Sequence, residues 1–264
     1  MRLGVIGYGA VAQTLIERLD TVPVSETVIL VRSGGNLAGA PGSRRLKSVS
    51  TLDALLAANP DLIVECAGHA AVVEHAEAIL RTGVSLVPLS LGAFADAQLL
   101  ARVQAAAALG NARLIRPAGA IAGIDLIEAL SMEGEVRITY TGTKPPQAWR
   151  GTAAEQTIDL SALTGPTAFF SGPAREAASR FPKSTNVVAA LALAGPGFER
   201  VSVTLVADPD ASANRHAYTV NASTCQAAFS IESGAATGNP RTSLTTVYSL
   251  LREIRVFAEL IRAD

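Results

Sequence analysis

Short apolar runs alternate with helix-like stretches through residues 1–117, and this alternation constrains the fold more than any other feature of the chain. The runs predicted as buried strands are Leu3–Ile6, Thr27–Val31, Leu62–Glu65, Ser85–Val87 and Arg113–Ile115. The stretches predicted as helices are Val11–Leu19, Leu52–Ala58, Ala71–Arg81 and Ala93–Ala108. Because strands joined by helices form parallel sheets with right-handed crossovers, we expect a doubly wound α/β domain at the N-terminus.

After Pro117 the pattern changes to that of a second, α+β domain. The predicted strands are Val136–Thr143, Arg200–Ala207, His216–Ala222 and Gln226–Ile231, and the predicted helices are Gly123–Leu130, Pro173–Phe181 and Thr185–Ala194. Alternating strands joined by polar loops indicate an open sheet with one covered face. A final amphipathic helix, Ser243–Ile261, follows the turn signal Gly238-Asn239-Pro240 and is expected to pack on the first domain. The expected domains are therefore residues 1–117 plus 240–264 for dinucleotide binding, and 118–239 for substrate and catalysis.

Composition excludes several classes of protein. Hydrophobic residues make up 49% and charged residues 17%, which is typical of a folded chain. The longest apolar stretches, such as Val187–Gly195, are about half the length that a membrane span needs. A net charge of -1 gives no general attraction to nucleic acid or anionic lipid. Cys66 and Cys225 show neither a disulfide framework nor metal-ligand spacing, so we expect a cytoplasmic protein without a metal.

The segment Gly7-Tyr8-Gly9-Ala10-Val11-Ala12 follows the first strand directly and fits G-x-G-x-x-A, a variant of the dinucleotide fingerprint. Gly7 allows the tight turn out of the strand, and Gly9 lets the backbone approach a pyrophosphate. Ala12 is small enough for close packing of the helix on the strand. Because the motif lies between an apolar strand and a helix, we expect a Rossmann domain that binds NAD or NADP.

The end of the second strand helps to select the dinucleotide. NAD sites usually place an acidic residue there to hold the ribose hydroxyls. Here the chain reads Val31-Arg32-Ser33-Gly34, without an acid, and Arg44, Arg45 and Lys47 follow. Arg32 and Ser33 suit a 2′-phosphate; the alternative is that the cations are solvated loop residues. We expect NADP to be accepted alongside NAD.

Among the three histidines, His216 is the strongest candidate for chemistry. It follows the polar loop Asp208–Arg215 and opens a strand, so it can be held in position while it reaches a cleft. An unperturbed pKa of about 6.5 suits proton transfer, although a structural histidine bonded to backbone is an equal alternative. His69 follows a sheet strand and either lies at the ligand edge or caps the next helix, and His75 is expected at the surface. Trp149 either walls a pocket or packs in the core.

Several separate blocks, in order along nearly the whole chain, resemble the L-aspartate dehydrogenase family. In the first half they are Gly7–Ala12, Glu65–Ala67, Ala93–Asp96 and Pro117–Gly123. In the second half they are Lys144–Pro146, Phe181–Val187, Ala207–Pro209, Asn239–Ser243 and Thr246–Ser249. So many blocks in this order are far more specific than the glycine motif alone.

The resemblance implies oxidative deamination of L-aspartate by NAD or NADP, which yields iminoaspartate and, after hydrolysis, oxaloacetate and ammonia. In the family, the histidine that matches His216 is regarded as the active-site residue, and positions that match Ala120 and Asn186 contact the cofactor near its nicotinamide end. Two positions differ: Arg32 stands where some members carry Asp, and Pro117–Ala122 contains Ala118 in place of a Ser. The resemblance leaves open the physiological direction of the reaction and the pathway that it serves, including delivery of iminoaspartate to pyridine nucleotide biosynthesis.

The implied reaction assigns roles to particular side chains. We expect His216 to accept a proton from the substrate ammonium or from the water that attacks the imine. Lys144 and Arg241 are candidates for binding the two carboxylates, the alternative being plain surface cations. The expected partners are the small-molecule substrate and a second copy of the chain, since an exposed face on the second sheet indicates a homodimer.

Two other functions are open from the sequence. An imine or enamine reductase acting on another small dicarboxylate, such as a dihydrodipicolinate-like ring, would keep the cofactor site and change the pocket. A non-catalytic dinucleotide sensor would bind the cofactor tightly and turn over no amino acid. The His216 block argues against the sensor, because a sensor needs no positioned proton carrier.

Overall fold

A computed structural model of the chain describes residues 1–31, 46–182, 184–233, 235–236 and 239–263. These residues form two compact units. The first unit comprises Met1–Pro117 together with the chain from Val247 onward, and the second comprises Ala118–Thr246. The chain therefore returns to its first unit inside the last helix.

The first unit is built on a parallel sheet of five strands in the order β3-β2-β1-β4-β5. The strands are β1 (Arg2–Ile6), β2 (Glu26–Leu30), β3 (Leu46–Val49), β4 (Leu62–Glu65) and β5 (Ser85–Pro88). Between and after them lie the helices α1 (Ala10–Ile16), α2 (Leu52–Ala57), α3 (His69–Arg81) and α4 (Ala97–Leu109). Every residue of β4 and β5 is buried, as the apolar runs predict for strands covered on both faces. The predicted α/β sheet is confirmed.

Three details of this unit differ from the predictions. β3 was not predicted, and the run Arg113–Ile115 contributes only an isolated bridge between Leu86 and Leu114. The predicted helix Ala93–Ala108 is two pieces, a 3-10 turn over Leu91–Ala95 and then α4. The break occurs at Asp96, whose carboxylate accepts hydrogen bonds from the backbone N–H groups at positions 98 and 99 and so starts a new helix.

The second unit contains a mixed sheet of five strands in the order β10-β9-β6-β8-β7. The strands are β6 (Arg137–Lys144), β7 (Thr167–Pro173), β8 (Val201–Ala207), β9 (Asn214–Asn221) and β10 (Gln226–Ser233). The helices are α5 (Ile124–Glu133), α6 (Pro146–Trp149), α7 (Ala174–Arg180) and α8 (Asn186–Leu193). β6 and β8 are parallel, and the other pairs are antiparallel.

Two segments of this unit differ from the predictions. β7 was missed because Gly172 and Pro173 weaken its strand signal, yet it lies at the sheet edge, where proline is tolerated. Asn239 and Pro240 were assigned to a turn, but they open the strand β12 (Asn239–Ser243), which pairs with β11 (Ala235–Ala236).

The two faces of the second sheet differ in chemistry. One face is buried and carries Ile138, Tyr140, Val203, Leu205, His216, Tyr218 and Val220. The other is exposed or partly exposed and carries Thr139, Thr141, Ser202, Thr204, Thr219 and Ser230. The helices α7 and α8 pack against β8 and against each other. The sheet thus has one covered face, as its alternation predicts.

The last helix, α9 (Leu244–Ala263), belongs to the core of the first unit over most of its length. Its residues Val247, Leu250, Leu251 and Ile254 share one buried cluster with side chains of β1, β2, β4 and β5. Among the residues that the structure describes, no helix combines the length and apolar character needed to cross a membrane.

Candidate functional site

The glycine motif forms a tight turn between β1 and α1 in the first unit. Gly7 has φ +91°, and a Cβ added to it would lie 2.8 Å from the Cβ of Ala67. Gly9 is the N-cap of α1, and an added Cβ there would meet nothing within 4 Å, so its backbone is open to approach. Ala12 is wholly buried in the core. These features fit a dinucleotide phosphate held against exposed backbone at the start of a helix.

A buried carboxylate organises the loops next to this turn. Glu65 ends β4 and is 1% exposed. One of its oxygens accepts hydrogen bonds from the N–H groups of Ala67 and Gly68 at 2.7 and 2.6 Å and from the Ser90 hydroxyl at 3.0 Å. The other accepts from the Ser90 N–H at 3.1 Å. Burial raises the pKa of Glu65 against the opposing effect of these bonds. The side chain therefore ties the loop after β4 to the loop after β5.

The basic residues expected near the ribose of the cofactor are only partly described by the structure. Arg32, Arg44 and Arg45 lie outside the described residues. Lys47 lies in β3, and its Nζ is 2.5 Å from Glu26 Oε1 at the start of β2, at the opposite end of the sheet from Gly7. Lys47 is thus part of a structural ion pair.

The two histidines of this unit both lie in α3. His69 is the first residue of the helix, and the capping position belongs to Gly68. His75 is partly buried within the helix, with Nε2 3.8 Å from a carboxylate oxygen of Glu74.

In the second unit, His216 lies on the buried face of β9 and is 5% exposed. Its Nδ1 is 2.6 Å from the hydroxyl oxygen of Tyr140 on β6. The residue directly opposite His216 on β6 is Gly142, and a Cβ at Gly142 would lie 2.8 Å from that same hydroxyl. Glycine at this position therefore leaves the space through which the phenol reaches the imidazole.

Lys144 supplies the positive charge near His216. It ends β6 and its Nζ lies 4.8 Å from the centre of the Trp149 ring. Burial lowers the pKa of Lys144 to about 8. Burial, and secondarily the charge of Lys144, lowers the pKa of His216 to about 4. A neutral imidazole beside an ammonium suits the binding of an anionic oxygen.

Trp149 packs in the core and also faces the site. It is wholly buried, its Nε1 donates to the carbonyl of Val206 at 3.1 Å, and its ring centre is 4.7 Å from that of Phe169. One face of the same indole carries the Lys144 ammonium. Of the two alternatives left open by the sequence, core packing is therefore confirmed, and a role as the wall of a pocket stays a prediction.

The loop that contains Ala120 is held by Tyr218. The Tyr218 hydroxyl donates to the carbonyl of Ala122 at 2.7 Å and accepts from its N–H at 3.2 Å. Ala120 is 6% exposed within this loop. Tyr218 comes from β9, two residues after His216, so one strand positions both the loop and the imidazole.

The remaining candidates also lie in the second unit. Asn186 is the first residue of α8 and is partly buried. Arg241 lies in β12. Among the sequence-predicted residues, the structure therefore brings His216 and Lys144 together. Sequence reasoning missed Tyr140 and Gly142, whose importance depends on strand register and leaves no local signal.

Two family models match the chain. Residues 125–256 match the model described as Aspartate dehydrogenase, C-terminal. Residues 7–117 match the model described as Homoserine dehydrogenase, NAD binding domain. The match to residues 7–117 lies within the first unit, and the match to residues 125–256 covers most of the second unit and the first part of α9.

Individual relatives match over nearly their whole length. The L-aspartate dehydrogenase of Ruegeria pomeroyi is 41% identical over 264 residues, which covers 99% of this chain and 94% of that protein. The L-aspartate dehydrogenase 2 of Bordetella bronchiseptica is 40% identical over 256 residues, with 96% of each chain covered.

Solved structures resemble the fold to different degrees. The crystal structure of aspartate dehydrogenase from Thermotoga maritima superimposes with a TM-score of 0.79 at 28% identity, covering 97% of this chain and 95% of that one. The dipicolinate-bound dihydrodipicolinate reductase of a Paenisporosarcina species gives a TM-score of 0.52 at 15% identity, covering 98% of this chain and 95% of that one. The second likeness concerns the fold alone.

Proposed function

Because the chain is a member of the L-aspartate dehydrogenase family, we propose that it interconverts L-aspartate and iminoaspartate with NAD or NADP, and that His216 is its catalytic residue. Iminoaspartate hydrolyses to oxaloacetate and ammonia. The observation that carries the assignment of the site is the buried, neutral His216 next to the Lys144 ammonium. A substrate with two carboxylates requires such a concentration of donors and positive charge.

The dinucleotide is held by backbone and by small residues. Gly7 and Gly9 present the turn and the start of α1 to the pyrophosphate, and Ala12 keeps that helix close to β1. We assign Ala120 and Asn186 to the nicotinamide end and Arg32 to the ribose, where it favours acceptance of NADP alongside NAD. A bound nicotinamide would supply the acceptor for the hydride of the substrate α-carbon.

The protein's own residues bind and orient the substrate. Nδ1 of His216 is occupied by Tyr140, so Nε2 is the nitrogen available to the reacting groups. The Lys144 ammonium binds one carboxylate, and Arg241 is the proposed partner of the other. The hydrophobic surroundings that lower both pKa values also exclude water, which strengthens these contacts.

The two alternative functions have less support. A reductase for a cyclic imine shares the fold, as the dihydrodipicolinate reductase likeness illustrates, but fold similarity does not specify a substrate. A dinucleotide sensor needs neither a buried, neutral histidine nor a partly buried lysine with a lowered pKa, and desolvating both side chains without a function would only destabilise the protein.

The proposed reaction is tested by steady-state turnover. We expect oxidation of NADPH or NADH in the presence of oxaloacetate and ammonia, and reduction of the oxidised cofactor with L-aspartate. Comparing kcat/KM for the two cofactors tests the assignment of Arg32. A folded protein that binds NADPH but turns over neither substrate set would contradict the proposed function and favour the alternatives.

Replacing His216 distinguishes an effect on turnover from an effect on cofactor binding. In His216→Ala we expect turnover with L-aspartate to fall by roughly 100-fold or more, because the side chain proposed to contact and orient the substrate is lost. NADPH affinity, measured by fluorescence titration, should stay close to that of the wild type. The matched control is His75→Ala in α3, which should keep wild-type turnover. Unchanged turnover in His216→Ala would remove this residue from the mechanism.

The pH dependence of dicarboxylate binding tests Lys144. The lowered pKa of about 8 means that the ammonium is present below this pH and is lost above it. Succinate, which has no titratable amine, should therefore inhibit competitively with a Ki that rises roughly tenfold per pH unit above that value.

The matched variant for this measurement is Lys144→Arg, which keeps its charge throughout the range. In this variant we expect the succinate Ki to be independent of pH up to alkaline conditions. A wild-type Ki that stays flat through the same range would contradict carboxylate binding by Lys144.

We also propose that the enzyme is a cytoplasmic homodimer. The cytoplasm supplies NAD and NADP, which supports this location. The open face of the second sheet, which is rich in hydroxyl groups, supports the dimer. A two-fold axis through this face would bring the same patch of both copies together. In sedimentation velocity we expect the mass of a dimer, and Thr219→Glu should convert it to monomer by opposing like charges. A wild-type protein that sediments as a monomer would exclude the dimer.

A further inference from the structure

Tyr140 is a buried polar side chain that contacts His216 and has no role so far. It is 1% exposed and lies on the covered face of the second sheet. Its hydroxyl oxygen is 2.6 Å from Nδ1 of His216. Within the part of the chain that the structure describes, the hydroxyl has no second hydrogen-bond partner. Among the described residues, its hydrogen bond is therefore directed at the imidazole.

The position of the phenol depends on strand register. Tyr140 is paired with Tyr218, and His216 is paired with Gly142, so the phenol and the imidazole meet along a diagonal. The hydroxyl reaches His216 by crossing over Gly142, where a Cβ would lie 2.8 Å from it. The two ring centres are 6.0 Å apart. The contact is thus built by three residues on two strands and does not result from a flexible side chain.

Counting protons determines the direction of the hydrogen bond. A buried hydroxyl must donate its single proton, because leaving it unpaired in a dry interior is unfavourable. Burial raises the pKa of Tyr140, so the phenol keeps that proton. Nδ1 of His216, 2.6 Å away, is the atom within reach that can accept this proton. A neutral imidazole has one N–H, and when Nδ1 accepts a hydrogen bond that N–H is at Nε2.

We infer that Tyr140 is a positioning residue: its hydroxyl holds His216 in the tautomer protonated on Nε2, so that His216 meets the substrate as a hydrogen-bond donor. The identity of the substrate rests on the proposed function, whereas the tautomer rests on the contact between the two side chains.

The donor form suits a dicarboxylate. A carboxylate oxygen accepts from Nε2–H, and Lys144 provides a cation nearby. A substrate ammonium, by contrast, has no lone pair to accept this hydrogen bond. In this tautomer Nε2 has no free lone pair either, so His216 does not accept the proton of the ammonium. The role expected from the sequence, in which His216 takes that proton, is replaced by orientation of the substrate.

The tautomer can be observed directly by NMR. The chain has three histidines, so nitrogen-15 labelling of histidine gives few signals, and His69→Gln and His75→Gln assign them. Long-range proton–nitrogen correlation distinguishes a protonated ring nitrogen from one with a free lone pair. In the wild type at neutral pH we expect His216 to have a protonated Nε2 and an unprotonated Nδ1.

The test variant is Tyr140→Phe, which removes the hydroxyl and keeps the ring. We expect the tautomer population of His216 to shift toward protonated Nδ1. With L-aspartate, kcat should fall by about 10- to 100-fold, as is usual when a partner that orients a functional histidine is lost. NADPH affinity should be unchanged, since Tyr140 is not among the residues assigned to the cofactor.

The matched control is Tyr218→Phe, which removes a hydroxyl from the neighbouring buried tyrosine of the same face. That hydroxyl bonds Ala122, so the His216 tautomer should stay as in the wild type.

Three results would overturn the inference. The first is a wild-type spectrum with a protonated Nδ1, which decides the matter even if Tyr140→Phe does not fold. The second is an unchanged tautomer in Tyr140→Phe, whatever its kcat. The third is a shifted tautomer with an unchanged kcat. Lack of activity toward aspartate, with Nε2 protonated, would instead refute the proposed function and leave the tautomer assignment standing.

Discussion

The double-sided burial of the central strands is the constraint on which the first unit depends. β4 and β5 are buried throughout, so polar groups can be accommodated only where strands end. The order of the strands reverses between β1 and β4, which opens a crevice at their carboxyl ends. Gly7 follows β1 there, and Glu65 ends β4 there. The location proposed for the cofactor is thus a consequence of how the apolar residues are buried.

Buried polar groups impose a comparable constraint on the second unit. His216 and Tyr140 lie on the covered face of its sheet, and each satisfies the other through one short hydrogen bond. The same desolvation that makes this hydrogen bond necessary lowers the pKa of His216, which keeps the imidazole neutral, and also lowers the pKa of Lys144. Packing and chemistry are therefore inseparable here: the hydrophobic environment that stabilises the sheet also sets the protonation states of the site.

Predictions from the sequence were accurate for elements that a local pattern specifies and failed for elements that depend on contacts between distant parts of the chain. Elements with a strong apolar period, such as β4 and α3, were predicted to within a few residues because burial repeats along the element itself. β7, which contains Gly172 and Pro173, was missed because its place at the sheet edge depends on pairing with β8. The break before α4 was missed because a single carboxylate, that of Asp96, ended one helical segment and started the next.

By itself, the sequence determined the α/β class of the first unit and the glycine turn expected to hold the dinucleotide, and it offered His216 as a candidate for chemistry with a structural histidine as the open alternative. Each of these is encoded locally, in period, spacing or residue type. Only the tertiary structure decided that Tyr140 contacts His216 across Gly142, and that Lys144 rests on Trp149. The reason is physical: these contacts depend on the register between strands far apart in the chain, and a shift of one residue would turn every side chain to the other face.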